Sequence, residues 1–129
     1  MRTLVIMLLS LLSPALNDLD RHLENREAFI VEKYSRIKAL QQELENADEA
    51  ELYDLSYGLF EEYQSFKYDS AYFYAGRALD HALKSGDKDE IVLSRCALVF
   101  CYLSSGLFLE AFDEMKAIDA RGVSNEVKA

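Results

Sequence analysis

The chain is short of the residues that interrupt helices. Its 129 residues include one proline, at position 14, and five glycines. That shortage excludes proline-rich linkers and low-complexity classes, and it permits long unbroken helices. Cysteine is nearly as scarce: Cys96 and Cys101 are the only two, too few for a disulfide scaffold. Five residues apart on one helix, at ~100° per residue, they point about 140° from each other, which suits no bridge. No histidine stands near enough to complete a zinc site with them. They read as small buried hydrophobes. Basic residues are also in deficit, 14 Lys+Arg against 23 Asp+Glu, giving a net charge of −9. A nucleic-acid surface needs a basic stripe to neutralise phosphates, so this chain is not expected to bind nucleic acid. Half of the residues are hydrophobic, enough for the modest core of a single domain.

Catalytic signatures are missing as well. His22 and His81 stand alone in charged helical contexts, LDRHLENR and ALDHALKS, and read as surface residues. The chain has no glycine-rich phosphate loop, HExxH pair or nucleophile elbow. The acidic stretch ELENADEAE crosses a helix boundary, where carboxylates favour solvent and the positive end of the helix dipole. Neither an enzyme nor a cofactor or metal site is expected.

The N-terminus, MRTLVIMLLSLLSPALND, has a positive Arg2, an apolar run over 3–12 and the small residues Ser13 and Ala15 around Pro14. That order is the layout of a secretory signal peptide over 1–15, with export to the periplasm as its consequence. The run falls short of the ~20 apolar residues of a membrane-spanning helix. The bland alternative is a buried or interfacial N-terminal helix. No cysteine follows the run to carry a lipid anchor.

Beyond it, Leu19, Leu23, Ile30, Tyr34, Ile37 and Leu44 recur at helical steps and predict a long amphipathic helix over about 18–45. It forms an N-terminal segment, 16–46, ahead of a repeat region, 47–129. Asn46 and Glu49 have capping-box spacing and open a helix over about 47–65, with Leu52, Leu55, Leu59 and Tyr63 as its stripe. Asp69 is the expected N-cap of a helix over 70–84. Ser85-Gly86-Asp87 ends that helix, and Asp87 with Glu90 caps the next, 88–104. A last helix over 109–120 ends near Gly122. The fold class is all-α.

FKYDSAYFYAGRALDHA, residues 66–82, and GLFLEAFDEMKAI, 106–118, place alanines 71 and 111 in equivalent settings forty residues apart. Small residues where two helices touch mark the tetratricopeptide repeat, a helix–turn–helix unit of ~34 residues. With Ala111 as the twentieth position, Leu98, Tyr102, Gly106 and Phe108 fall on the seventh, eleventh, fifteenth and seventeenth. The first copy fits if its internal turn is one residue shorter, and its second helix must be longer, through LKSGDK. Repeats are expected at about 50–86 and 88–122, with the start of a third at 124–129. The last helix pair would then leave an apolar edge open, lined by Leu98, Tyr102, Phe112 and Met115. That edge marks the chain as a fragment of a longer array, or as a module that self-associates there.

EEYQSFKYDSAYFYAGRAL, GDKDE and SSGLFLEAFDEM together resemble the N-terminal part of a Bacteroidetes family of tetratricopeptide proteins. Its members carry a C-terminal domain of unknown function and are described as transcriptional regulators. The resemblance runs from about Leu19 onward. It implies a signal sequence, repeats outside the cytoplasm, and a downstream transmembrane helix that would anchor the full-length protein in the inner membrane. The EYQSFKYDSA phrase carries most of it.

Such repeats present the first helix of each unit on a concave face that receives a peptide or partner helix. On this register the groove takes Tyr57, Phe60, Glu61 and Gln64 from one copy, and Phe100, Leu103 and Ser104 from the other. An extended apolar or basic peptide suits it. Arg95 is the only nearby candidate to clamp a carboxylate. Tyr72, Phe73 and Tyr74 sweep about 200° of helix, so at least one turns away from the alanine seam. The expected function is an exported interaction module, the sensor or scaffold part of a longer regulator. The alternatives are an oligomerising module paired through the long first helix, or a small-molecule sensor lined by tyrosines.

The export reading makes a direct prediction. Protein recovered outside the cytoplasm should begin at Leu16 on N-terminal sequencing, after cleavage behind Ala15. An intact Met1 on exported protein would contradict it.

Overall fold

The structure, a computed structural model, describes the backbone of residues 2–119 and 121–128 and the side chains of 14, 16–119 and 121–127. The signal-peptide expectation for 1–15 rests on side chains that, Pro14 apart, lie outside the described residues. Among the described residues there are six helices and no strand: α1 (Arg2–Asn46), α2 (Leu52–Tyr63), α3 (Tyr68–Ser85), α4 (Lys88–Ser104), α5 (Phe108–Lys116) and α6 (Asn125–Lys128). They divide into two units, Met1–Ser35 and Arg36–Ala129.

The first unit is helix alone, with Pro14 inside it. Its described side chains are exposed, Lys33 being half-buried. Leu16, Leu19, Leu23, Ile30 and Tyr34 are among the exposed residues.

The second unit holds the core. Ile37 is buried, with Leu40 and Leu44 packed beside it, and these meet Leu59, Phe60 and Tyr63 of α2. Ala71 and Ala75 of α3 and Ala97, Leu98 and Cys101 of α4 complete the same cluster. A second cluster joins Tyr53 to Ala78 and Ala82, with Tyr57 and Ile91 against it. The amphipathic spacing explains the choice of face: Ser56, Leu59, Phe60 and Tyr63 step by three, one and three along α2. On α3 the buried stripe is alanine throughout, Ala71, Ala75, Ala78 and Ala82, each at most 1 % exposed. Methyl side chains let neighbouring helices come closer than the usual interaxial spacing of roughly 8–10 Å would with larger groups.

The helix ends correct several expectations. The box that precedes α2 is built on Asp48 and Glu51, not Asn46 and Glu49. Asp48 Oδ1 accepts from the amides of Ala50 and Glu51, and Asp48 N donates to Glu51 Oε2 at 3.4 Å. Asn46 instead ends α1, donating to Gln42 O. Helix α2 therefore runs over 52–63, not 47–65. Asp69 does not cap α3, which already starts at Tyr68. It lies in the first turn, where its charge favours the helix dipole. The Asp87 cap forms as expected, accepting from Asp89 and Glu90 at 2.9 and 3.1 Å. The Glu90 carboxylate reaches Ser85 Oγ instead of the Asp87 amide, so the box is half made.

The two repeats have the same plan with different turns. Gly106 adopts φ 75° and lets the Leu107 amide reach Tyr102 O at 2.8 Å. The turn after α2 has no such glycine. There the amides of Phe66 and Lys67 both donate to Tyr63 O, which closes a tighter connection. Ala71 and Ala111 are both buried, and α3 has 18 residues against nine for α5, in line with the forty-residue offset. Leu98 belongs to the core rather than to an open edge, because the seventh position faces α3. Phe112 and Met115 are exposed as expected. Only Cys101 is a core cysteine; Cys96 is exposed, on the other side of α4.

Packing at the alanines is testable by thermal melting. Ala71→Leu and Ala111→Leu should each cost ~1–3 kcal/mol through overpacking, while Ala50→Leu, at an exposed site, should leave the midpoint unchanged. Among the described residues, the fully buried Ser56 hydroxyl has no hydrogen-bond partner. Ser56→Ala should therefore hold or raise the midpoint, since it removes a desolvated group that nothing satisfies.

Candidate protein-interaction groove

An aromatic ladder carries the site from α2 to α4. Tyr53 stacks on Tyr57 with centroids 5.8 Å apart, and Tyr57 tilts onto Phe60 at 5.5 Å. Phe60 meets Phe100 edge to face at 6.4 Å. Edge-to-face contact places the positive rim of one ring on the negative face of the other, and it fixes ring orientation as well as burying area. Phe60 is buried in the main core cluster, while Phe100 keeps 44 % of its surface exposed. One turn further on, Leu103 is 48 % exposed and Ser104 is exposed.

A cleft of about 230 Å³ opens between the α2–α3 turn and the end of α4, lined by Gln64, Ser65, Phe66, Lys67, Tyr68, Ala71, Phe100, Cys101 and Ser104. Of the residues expected in the groove, Gln64, Phe100 and Ser104 meet in this cleft. Phe60 lies beneath it through its contact with Phe100. Tyr57 is half-buried, Glu61 and Leu103 are exposed, and none of the three lines the cleft. The ionised side chain in the lining is Lys67, which sequence reasoning missed. Its ammonium also lies 5.9 Å from the Tyr63 ring centroid. Of the lining residues not expected in the groove, Ser65, Phe66 and Lys67 belong to the irregular α2–α3 turn, which leaves no periodic signal, while Tyr68 and Ala71 come from α3 and Cys101 from α4. Ser104 Oγ donates to Phe100 O, and Gln64 Nε2 to Glu61 O.

Arg95 does not serve as a clamp for a bound carboxylate. Its guanidinium pairs with the Glu114 carboxylate, tying α4 to α5, with both side chains about four-fifths buried.

The three consecutive aromatics fan into three environments. Tyr74 stacks on Tyr63 with planes 3° apart, and Gln41 Nε2 donates to both phenol oxygens. Tyr72 turns the other way, stacking on Tyr68 and sharing a 3.3 Å hydrogen bond with the Tyr102 hydroxyl. Phe73 is exposed, with the Arg77 guanidinium 5.9 Å from its centroid. The hydrogen bond to Tyr72, helped by burial, holds the Tyr102 phenol up to about 12. Burial alone does most of the same for Tyr53, also pushed up to about 12.

A separate polar cleft of about 340 Å³ gathers Glu49, Ala50, Tyr53, His81, Lys84, Ser85 and Glu90. Burial lowers the His81 pKa there, assisted by Arg77 and Lys84. His22 is exposed, 3.8 Å from Asp18. Among the described residues, no group of His, Cys, Asp or Glu is arranged to hold a metal ion.

Paired helices meeting on buried alanines, with the first helix of each pair on a common face, define a tetratricopeptide-type repeat domain. The sequence profile described as the SusR N-terminal TPR domain matches residues 23–129, and the chain belongs to that family. This is the relationship to which the EYQSFKYDSA phrase pointed. No curated protein and no solved structure matches the chain.

The phenol pair gives a pH prediction. A folded-state pKa above the unfolded value near 10 stabilises the fold below pH 10, and that stability is lost as pH rises toward 12. Ultraviolet titration of Tyr72→Phe should show one fewer tyrosine ionising near 12, because Tyr102 loses the partner that holds its proton. An unchanged high-pH tail would contradict the shared bond.

Proposed function

We propose that this chain is an exported helical-repeat module that holds a protein partner in the groove between α2 and α4. It would act as the sensor or scaffold part of a longer regulatory protein. The half-exposed Phe100 ring, oriented by Phe60 at the edge of a formed cleft, carries this reading. A preoriented aromatic with an open face is the usual anchor of a binding hot spot. The surrounding groups favour an extended peptide with one apolar side chain against Phe100 and polar backbone toward Gln64 and Ser104. Lys67 at the cleft would accommodate a carboxylate, which sets this site apart from the purely apolar or basic partner that Glu61 alone implied.

Membership of a tetratricopeptide family supports an interaction role over catalysis. Export rests on the Arg2, apolar run and Ser13-Pro14-Ala15 order. Among the described residues, no helix is long and apolar enough to cross a membrane.

Affinity capture with Phe100→Asp tests the reading. Loss of a hot-spot aromatic is worth about 2 kcal/mol or more, or roughly thirtyfold in affinity; the substitution also removes the edge contact with Phe60, worth about 0.5–1.5 kcal/mol of stability, so capture is compared well below the melting midpoint of both proteins. Leu103→Asp should weaken capture less. Undiminished capture by both variants would exclude the groove.

A further inference from the structure

The polar cleft between the α1–α2 connection and the ends of α3 and α4 carries charge that the repeat packing does not use. Its volume of about 340 Å³ lies in the range of roughly 300–1,000 Å³ typical of small-ligand sites. Tyr53 is a buried part of its wall, and the Tyr53 hydroxyl donates to Glu90 O at 3.4 Å. His81, Lys84 and Ser85, at i, i+3 and i+4, line the cleft from one face of α3. Ser85 Oγ donates to the Glu90 carboxylate at 3.1 Å, which holds that carboxylate at the cleft. Glu49 faces the same space from the connection before α2. Among the described residues, the side chains of Glu49, His81 and Lys84 make no hydrogen bond and no ion pair.

We propose that this cleft binds a basic α-amino acid, its two cationic groups on Glu49 and Glu90 and its carboxylate on Lys84. Charge selects that class. Glu49 and Glu90 against Lys84 give −2 + 1 = −1, and a ligand with two cationic groups and one carboxylate mirrors that set. Burial lowers the His81 pKa from its ordinary 6.5, so His81 is neutral near pH 7 and adds no charge. Burial also raises the Glu90 pKa despite the Ser85 hydrogen bond. A carboxylate that has lost water gains more from an incoming cation. A diamine would leave Lys84 without a partner. An acidic amino acid would set its second carboxylate against Glu49 or Glu90.

Glu49 and Lys84 line one cleft and yet stay unpaired. Opposite charges that face the same space without meeting are each left to water. A ligand carrying both complements replaces that water with charge-assisted hydrogen bonds on both sides. The Tyr53 ring offers an apolar wall to the ligand's aliphatic stem. Tyr53 also packs with Ala78 and Ala82 in the second core cluster, so the wall is preformed and binding costs little ordering. This cleft shares no lining residue with the cleft at Phe100, which makes it a second site independent of the groove.

The test titrates the full chain by calorimetry with L-arginine and with agmatine, the same molecule without its carboxylate. L-Arginine should bind saturably below about 10 mM, and agmatine at least about tenfold more weakly. L-Glutamate should not bind. Glu49→Gln should weaken L-arginine by about tenfold, and Lys84→Gln should erase its advantage over agmatine. Glu49 and Lys84 are exposed, so both variants should stay folded. Phe100→Asp should bind L-arginine as the parent chain does, so this site and the groove can fail independently. No saturation by L-arginine up to about 10 mM, binding of L-glutamate, equal binding of agmatine, or an arginine–agmatine difference that survives Lys84→Gln would each overturn the proposal.

Discussion

Ala71, Ala75, Ala78 and Ala82 form a stripe with almost no exposed surface, and the placement of everything else in the repeat unit follows from it. Methyl side chains let α3 lie close against both α2 and α4 at once. Larger residues are then confined to the flanks, where Leu59, Tyr63, Leu98 and Cys101 fill the space on either side. The stripe also explains why three consecutive aromatics are tolerated beside it. With the seam reserved for alanine, Tyr72, Phe73 and Tyr74 project from the remaining arc and find separate partners.

That close approach is what brings α2 and α4 onto a common face. Phe60 and Phe100 touch because α3 holds their helices at a fixed spacing, and the contact leaves one ring half open over the cleft. The α2–α3 turn completes the site from below. Rigidity in the alanine layer thus becomes preorganisation in the groove, which lowers the ordering cost of binding. The Arg95–Glu114 pair works in the same direction, since it fastens α5 to α4 behind the site.

Most of the helical plan was legible because burial follows period. Alanines at 71, 75 and 78, the glycines at 86 and 106, and the Asp87 cap all act through local geometry that sequence displays directly. The forty-residue offset and the longer α3 were legible for the same reason. The start of α2 was misplaced because Asn46 and Asp48 both offer a cap, and Asp48 takes it through local bonds to Ala50 and Glu51, while α3 begins at Tyr68 with no side-chain cap. The groove was legible in part. Gln64, Phe60, Phe100 and Ser104 follow from helical register, whereas Phe66 and Lys67 reach the cleft through an irregular turn. Cys96 and Leu98 show the limit of composition. Both are apolar by type, yet two residues' difference along α4 sends one to solvent and the other to the core.

Native-state hydrogen exchange tests the alanine layer most directly, because it reads the stability of each helix separately. If α3 is clamped between α2 and α4, amides around Ala71–Ala82 should be the slowest in the chain. Those of α2 and α4 should share their opening free energy, and residues 16–35 and α5 should exchange earlier. Amides of α3 exchanging as fast as those of 16–35 would contradict the account.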